Sequence, residues 1–299
     1  METERSFSAR AKDEMCKKLP QRDCCAQAEL YGVLLFSRVF SKREIRMVTE
    51  HEKFAERLTA LCRRVCGVTP ASSVSERTGK YTVEAAGSAA ERLFSHFGHE
   101  EGLSPAIHLN NALVEEDHCR DAFIRGMFLA AGSVSDPEKN YHLELVTRHF
   151  NLSREVIALL LDMELRPKTT LRKSNYIIYF KDSAEIEDFL TRAGAPVSAI
   201  RVMETKIEKD VRNQANRKFN CDNANITKTV DAAQRQLAAI RTLEQRGRLM
   251  ELSDSLRGAA ELRREHPDAA LSELAEIAGV SRSGLNHRLN RLCELANET

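Results

Sequence analysis

Residues 123–137 read FIRGMFLAAGSVSDP, an apolar helix that runs into a Gly-Ser turn and a Ser-Asp-Pro corner. Gly126 and Ala130 stand four apart and so share one helical face, a smooth stripe on which a second helix can approach closely. A glycine inside a helix costs roughly 1 kcal/mol of propensity, so the stripe calls for a partner that uses it.

The partner is found upstream. In AELYGVLLFSRVF (28–40), Gly32 precedes Gly126 by 94 positions. The likeness continues: KYTVEAAGSAAERLFSHFG (80–98) resembles NYIIYFKDSAEIEDFLTRAG (175–194), with Tyr81 and Tyr176 offset by 95, and Ser88-Ala89 and Ser183-Ala184 by the same amount. Between these, EIRMVTEHEKFAERLTALCRRVCG parallels YHLELVTRHFNLSREVIALLLDMEL. Two copies of one unit therefore fill roughly residues 24–100 and 118–195.

Each copy predicts an apolar helix, a strand such as HLELVT (142–147), and an amphipathic helix carried by Phe54, Leu58, Leu61 and Val65 or by Val156, Leu159, Leu160 and Met163. Two extended segments follow, and then a closing helix capped at Ser88 or Ser183. The fold class is α+β: a duplicated domain of two antiparallel half-sheets, with the helices at 30–37 and 124–131 packed across a pseudo-twofold axis.

A chain of 299 residues with 42% hydrophobic and 30% charged residues can bury one large or several smaller cores. No run reaches the 18 or more apolar residues that span a bilayer, and METERSFSARAKDEMCKKLP has acids where a signal peptide has a basic and then an apolar segment. The expected location is cytoplasmic. Eight cysteines in an irregular arrangement (Cys24-Cys25 adjacent, Cys62 and Cys66 one turn apart, the rest scattered) do not make a disulfide framework. Cys62 and Cys66 with His96 and His99 have unusual spacing for zinc, so no metal and no cofactor is expected. The net charge of +1 conceals an acid-free segment from Ile277 to Cys293 that carries Arg282, Arg288 and Arg291, a localised site for a polyanion.

The duplicated pattern resembles the LAGLIDADG homing-endonuclease fold, in which two such helices form the interface and two sheets straddle DNA. Gly126 to Gly132 lie over the last seven residues of the motif and Leu30 to Arg38 cover all nine, although Phe36 replaces a small residue. The resemblance implies one metal-binding acid at the end of each motif, and those positions hold Ser37 and Ala131, neither of which is a charged ligand. Asp136 belongs to an ordinary turn and has no counterpart in the first copy. The expectation is a degenerate scaffold with no catalytic residues.

Residues 201–229 hold seven basic residues, Arg217 and Lys218 among them, against four acids, punctuated by Asn213, Asn216, Asn220, Asn223 and Asn225. Such asparagines fit phosphate-binding turns, and they equally cap helices and tolerate left-handed turns with no ligand. A helix through Val230, Ala233, Leu237, Ile240 and Leu243 then leads to Gly247. In DAALSELAEIAGVSRSGLNHRLNRL (268–292), Ala275, Gly279 and Leu285 have helix-turn-helix spacing, with Ser281 as N-cap. Leu285, Leu289 and Leu292 should face inward with Leu271, Leu274, Ile277 and with Leu252, Leu256, Ala260 and Leu262 of an upstream helix. The opposite face presents Arg282, Ser283, Asn286, His287 and Asn290, side chains that reach base edges, while Arg288 and Arg291 suit phosphates. In the repeat domain, RPKTTLRKSNYIIYFK (166–181) carries Arg166, Lys168, Arg172, Lys173 and Lys181 and no acid, which makes the second copy the better DNA face.

LPQRDCCAQAEL (19–30), RGMFLAAGSVSDPEKNYHLEL (125–145), NRKFNCDNANITKTVDAAQRQ (216–236) and HPDAALSELAEIAGVSRSGLNHRLNRL (266–292) resemble the WhiA family of Gram-positive bacteria, in the same order along nearly the whole chain. That resemblance implies a regulator that binds double-stranded promoter DNA, is tied to sporulation or to cell division and chromosome segregation, and works with RNA polymerase or another regulator. The expected division is an N-terminal helical segment (1–23), the duplicated domain (24–199), a basic Asn-rich linker and helix (200–248) and an all-α helix-turn-helix domain (249–299). A nucleoid-associated or protein-docking factor with weakly specific DNA binding is the alternative; it would show steep salt dependence and near indifference to sequence.

Overall fold

The structure, a computed structural model, describes residues 5–99 and 107–298. The first four residues of the N-terminal segment, the last residue of the first copy and Thr299 lie outside the described residues. The chain divides into two compact units, Met1–Lys209 and Asp210–Thr299.

The first unit opens with α1 (Phe7–Lys17), started by the Ser6 hydroxyl, which accepts from the Ala9 amide at 3.2 Å. The first copy comprises α2 (Asp23–Leu35), β1 (Val39–Phe40), β2 (Glu44–Thr49), α3 (Glu52–Cys66), β3 (Ala71–Val74), β4 (Tyr81–Ala86) and α4 (Ser88–His96). The second repeats the order as α5 (Asp117–Ala131), β5 (Gly132–Val134), β6 (Leu143–Thr147), α6 (Phe150–Asp162), β7 (Lys168–Arg172), β8 (Asn175–Phe180) and α7 (Ser183–Ala193). The sheets have the same antiparallel order, β1-β2-β4-β3 and β5-β6-β8-β7. The duplicated α+β architecture read from the sequence is therefore present. The edge strands β1 and β5 were not foreseen, because two or three residues are too few to show an alternation. The closing helices also start differently: Ser88 and Ser183 are first helical residues, preceded by Gly87 and by Asp182, whose carboxylate accepts from the Ala184 amide at 2.8 Å.

The helix pair α2 and α5 forms the centre of this unit, and almost every residue from Leu30 to Leu35 and from Ala122 to Leu129 is buried. The contact is reciprocal. A Cβ on Gly32 would lie 2.4 Å from the Phe123 carbonyl oxygen, and one on Gly126 would lie 2.1 Å from that of Glu29. Because 29, 32 and 33 correspond to 123, 126 and 127, the two backbones cross through equivalent glycines on the pseudo-twofold. Ala130, assigned to the same stripe from its spacing, is only half-buried; the close approach is made by the glycines, which have no Cβ to hold the helices apart.

Charge is buried at this crossing. The Glu29 carboxylate, fully enclosed, accepts from Arg57 Nε at 2.5 Å and from Arg125 Nε at 3.0 Å. Arg57 also donates to the Cys16 and Lys18 carbonyls, and Arg125 to the Ala193 carbonyl. Ions out of water need this density of partners, and here it ties α2 to α3, α5 and the ends of α1 and α7.

The next helix, α8 (Pro196–Gln245), starts with proline and is capped from outside by Glu14, whose carboxylate accepts from the Val197 and Ser198 amides and from the Ser198 hydroxyl. Its 50 residues include the whole asparagine-rich stretch, so the turn expected there is replaced by helix. No glycine or internal proline interrupts Val197–Gln245, and the alanines, lysines, arginines and glutamines between the asparagines are good helix formers. Arg217 and Lys218 sit on it, exposed.

In the second unit, the end of α8 supplies Ile240 and Leu243 to a core completed by α9 (Asp254–Glu265), α10 (Leu271–Ile277) and α11 (Arg282–Asn297). Leu274, Ala275, Leu285, Leu289 and Leu292 are buried as expected, and Ala260 with them. Leu252, Leu256, Leu262 and Leu271 pack only at the edge of this core. Ile277, expected inward, is 52% exposed; it is the last residue of α10, where the helix gives way to the turn. Gly279 makes that turn with φ +63°, and Arg263, buried, donates to the Ala269 carbonyl at 2.8 Å to fix the α9–α10 connection.

Candidate nucleic-acid interface

The helix α11 begins at a capped end: the Ser281 hydroxyl accepts from the Gly284 amide at 3.1 Å. One face, Leu285, Leu289 and Leu292, is held in the core, which fixes the rotation of the helix. On the other, Arg282, Ser283, Asn286, His287 and Asn290 are all exposed. Asn286 and Asn290 also border a cleft of about 560 Å³ lined by Arg235, Gln236 and Thr242 of α8.

The two remaining arginines differ. Arg288 is half-buried. Arg291 pairs with Glu294 at 2.9 Å and Glu298 at 3.3 Å, contacts that hold its guanidinium above its usual range. Those acids lie just past the acid-free window, one and two helical turns on, so the pairing is intramolecular.

In the repeat domain, Ser37 and Ala131 stand at the C-terminal ends of α2 and α5. The Ser37 hydroxyl is spent on backbone, donating to the Leu34 carbonyl at 2.6 Å and the Val39 carbonyl at 3.0 Å. Beside it lies a groove of about 520 Å³ lined by Arg38, Arg148, His149 and Asn175 together with Met47 and Val146. Among the described residues no carboxylate lines it, so a divalent cation would find two guanidinium groups where it needs anionic oxygen. Arg38, Arg148 and His149 were missed as site residues. Arg38 was in plain view, at the place of the final glycine of the first motif, but its meeting with Arg148 depends on the twofold. Burial and the neighbouring Arg148 both lower the His149 pKa.

The residues of the β7–β8 hairpin divide by face. Lys168 and Arg172 lie opposite Tyr179 and Asn175, and the side chains of Leu143, Leu145, Ile178 and Phe180 go to the core face. Lys168 and Lys173 are exposed, with Lys173 and Ser174 at positive φ in the turn. Arg172 is engaged by Glu144 at 3.3 Å. Arg166 is exposed, and its amide donates to Glu185.

Three of the cysteines converge in space, though not the pair with the suggestive spacing. Cys62 and Cys66 are buried in the core, which pushes their thiols up to about 12 and 11, while His96 and His99 contact Gln27 and Tyr31. Among the described residues, the cluster that could hold a metal is instead Cys24, Cys25, His118 and Cys119. Nothing in the spacing of a Cys-Cys pair and a distant His-Cys pair announces it; the twofold does, because residues 24 and 25 correspond to 118 and 119.

A duplicated LAGLIDADG-like scaffold followed by a helix-turn-helix head defines a DNA-binding class of protein. Residues 120–212 match the model of the WhiA LAGLIDADG-like domain, and residues 215–296 match that of the WhiA C-terminal HTH domain. The chain is 34% identical to the probable cell division protein WhiA of Ruminiclostridium cellulolyticum, over 97% of each chain, and 32% identical to that of Alkaliphilus metalliredigens, over 98% of each. Its fold is similar to the crystal structure of full-length DUF199/WhiA from Thermatoga maritima (TM-score 0.59, 22% identity, 98% of each chain). This chain belongs to the WhiA family. Among the described residues, no helix is long and apolar enough to cross a membrane.

Proposed function

We propose that this protein is a sequence-reading DNA-binding regulator of cell division, and that its duplicated domain is a DNA-contacting scaffold without nuclease chemistry. The observation that carries the reading is α11: a capped helix, rotationally fixed by Leu285, Leu289 and Leu292, that exposes Arg282, Ser283, Asn286, His287 and Asn290 in one row. Arginine suits the two acceptors of guanine and asparagine the acceptor-donor pair of adenine in the major groove. Arg288 supplies a phosphate contact; Arg291 does so only by giving up Glu294 and Glu298. The role in cell division comes from the named function of the relatives.

For the scaffold, the groove lined by Arg38 and Arg148 and the exposed Lys168 and Lys173 favour phosphate contact over metal binding. Arg217 and Lys218 add positive charge on α8, and Arg166 and Arg172 form the flank of the hairpin. Holding DNA at two places raises the effective concentration of the head at its site. Promoter DNA is the proposed target, with RNA polymerase or a second regulator as protein partner.

Two measurements test this. Fluorescence anisotropy on a DNA site selected from a random pool should show binding to that site weakened by about 5- to 150-fold in Arg282→Ala or Asn286→Ala, the equivalent of about 1–3 kcal/mol per base contact, with little change on random DNA. Equal losses on both DNAs would refute base reading by α11. Incubation of plasmid with Mg²⁺ or Mn²⁺ should leave it intact, and metal-dependent cutting abolished by a change at Arg38 or Arg148 would overturn the scaffold reading.

A further inference from the structure

The ends of α2 and α5 opposite Ser37 and Ala131 carry a second constellation. Cys24 and Cys25 lie in the first turn of α2, and His118 and Cys119 in the first turn of α5. Their four ligand atoms all lie within 4.8 Å of one another. His118 Nδ1 is 3.4 Å from Cys25 Sγ and 3.2 Å from Cys119 Sγ. All these thiols are free. Cys25 and Cys119 are buried, His118 is half-buried, and Cys24 faces solvent.

We propose that Cys24, Cys25, His118 and Cys119 form a tetrahedral site for one zinc ion that fastens the N-terminal ends of α2 and α5 to each other. Three thiolates and one imidazole are a closed structural zinc donor set. With Zn–S of about 2.3 Å and Zn–N of about 2.0–2.1 Å, the edges of a tetrahedron are about 3.6 Å for S···N and about 3.8 Å for S···S. The two S···N separations are already near that value, and closing the widest separation of 4.8 Å takes about 1 Å of side-chain rotation. The set is also too tight for an iron–sulfur cluster, whose several irons hold their ligands further apart.

The electrostatics agree with a cation here. Three sulfurs crowded at two helix N-termini gain from the helix dipoles as thiolates but repel one another, and a dication between them removes the repulsion. Binding releases three protons, one from each thiol, and leaves the imidazole neutral with Nδ1 as ligand. The exposed Cys24 gives the ion a way in. The site lies roughly 18 Å along α2 from Ser37, at a rise of about 1.5 Å per residue, so it is separate from the position implied for a nuclease metal. Its effect is on the helix pair: it pins the N-terminal ends of α2 and α5, which lie to one side of the glycine crossing.

The test uses the full chain, purified under reducing conditions and loaded with Zn²⁺ or, separately, Co²⁺, then freed of excess metal. Elemental analysis should find about one zinc per chain. The Co²⁺ form should show thiolate-to-metal charge transfer and the intense visible bands of tetrahedral cobalt. Cys24→Ser, at an exposed position, should fold normally, shift the cobalt spectrum and weaken zinc binding at least tenfold in a competition with a chromophoric chelator. The wild-type cobalt spectrum stands whether or not Cys119→Ser folds. A chain that retains no metal, an octahedral cobalt spectrum, unchanged affinity in both Cys24→Ser and His118→Gln, or a mass two hydrogens lighter that reports a disulfide in the cluster would each overturn the proposal.

Discussion

Replacing Gly126 by alanine and Gly258 by alanine should have opposite effects on stability, although both glycines lie inside helices. At Gly126 the new Cβ would stand 2.1 Å from the Glu29 carbonyl oxygen, 3.0 Å from its carbon and 3.1 Å from the Val33 nitrogen, all backbone atoms that no rotamer change can move. Real Cβ contacts stay beyond 3.0 Å, so α2 and α5 must separate by about 0.9 Å at their crossing. The separation loosens the surrounding core, including Phe123 and Met127, and disturbs the buried contact of Glu29 with Arg125. Overpacking of this kind costs typically 1–3 kcal/mol, and the movement of two backbones puts this case at or beyond the upper end; about 1 kcal/mol is returned by helix propensity. The net loss is about 2 kcal/mol, a fall in Tm of about 4–8 °C for a unit of this size. At Gly258 in α9 nothing lies within 4 Å, and only the propensity gain of about 1 kcal/mol remains. Calorimetry of the two variants of the full chain measures both. A Gly126→Ala protein at or above wild-type stability would refute the claim that this glycine is required by the helix crossing.

Glu29→Ala leaves Arg57 and Arg125 buried without their shared carboxylate and should cost about 3–5 kcal/mol, read from the urea midpoint; a loss under 1 kcal/mol would mean the network is hydrated. Ser281→Ala removes the cap of α11 and should cost about 1 kcal/mol in the second unit, whereas Ser281→Gly should recover most of it. Burial lowers the pKa of His51, His99 and His149 below 6.5. The unfolded chain then binds protons first, so these histidines leave stability intact above pH 6.5 and remove it as pH falls below that value. Urea titrations between pH 7.5 and 5 should show the decline, and a rise in stability over that range would contradict the burial of these imidazoles.

The sequence exposed the duplication because equivalent residues repeat at an offset of 94 or 95, and the helix-turn-helix because Ala275, Gly279 and Leu285 each meet one geometric demand. What it hid depends on partners distant in the chain. The asparagines of 213–225 carry turn chemistry, but an unbroken run of tolerable helix residues from Val197 onward overrides it. Ile277 fits the apolar period of α10 and is nevertheless exposed, because a seven-residue helix ends before its last turn is covered. Arg291 reads as a free cation within the acid-free window, yet Glu294 and Glu298 are one and two turns on. The Cys and His group is invisible locally, since its halves are 93 residues or more apart and meet only because the twofold brings the two helix starts together.

The most direct test of the account is sequencing of native genomic fragments captured by the full chain at physiological salt, with wild type and the Arg282→Ala, Asn286→Ala double variant in parallel. The account predicts discrete peaks upstream of genes that share a short motif in the wild type and vanish in the double variant, with the captured fragments uncut. Broad capture without a motif, or peaks unchanged by the double variant, would contradict it and move recognition away from α11.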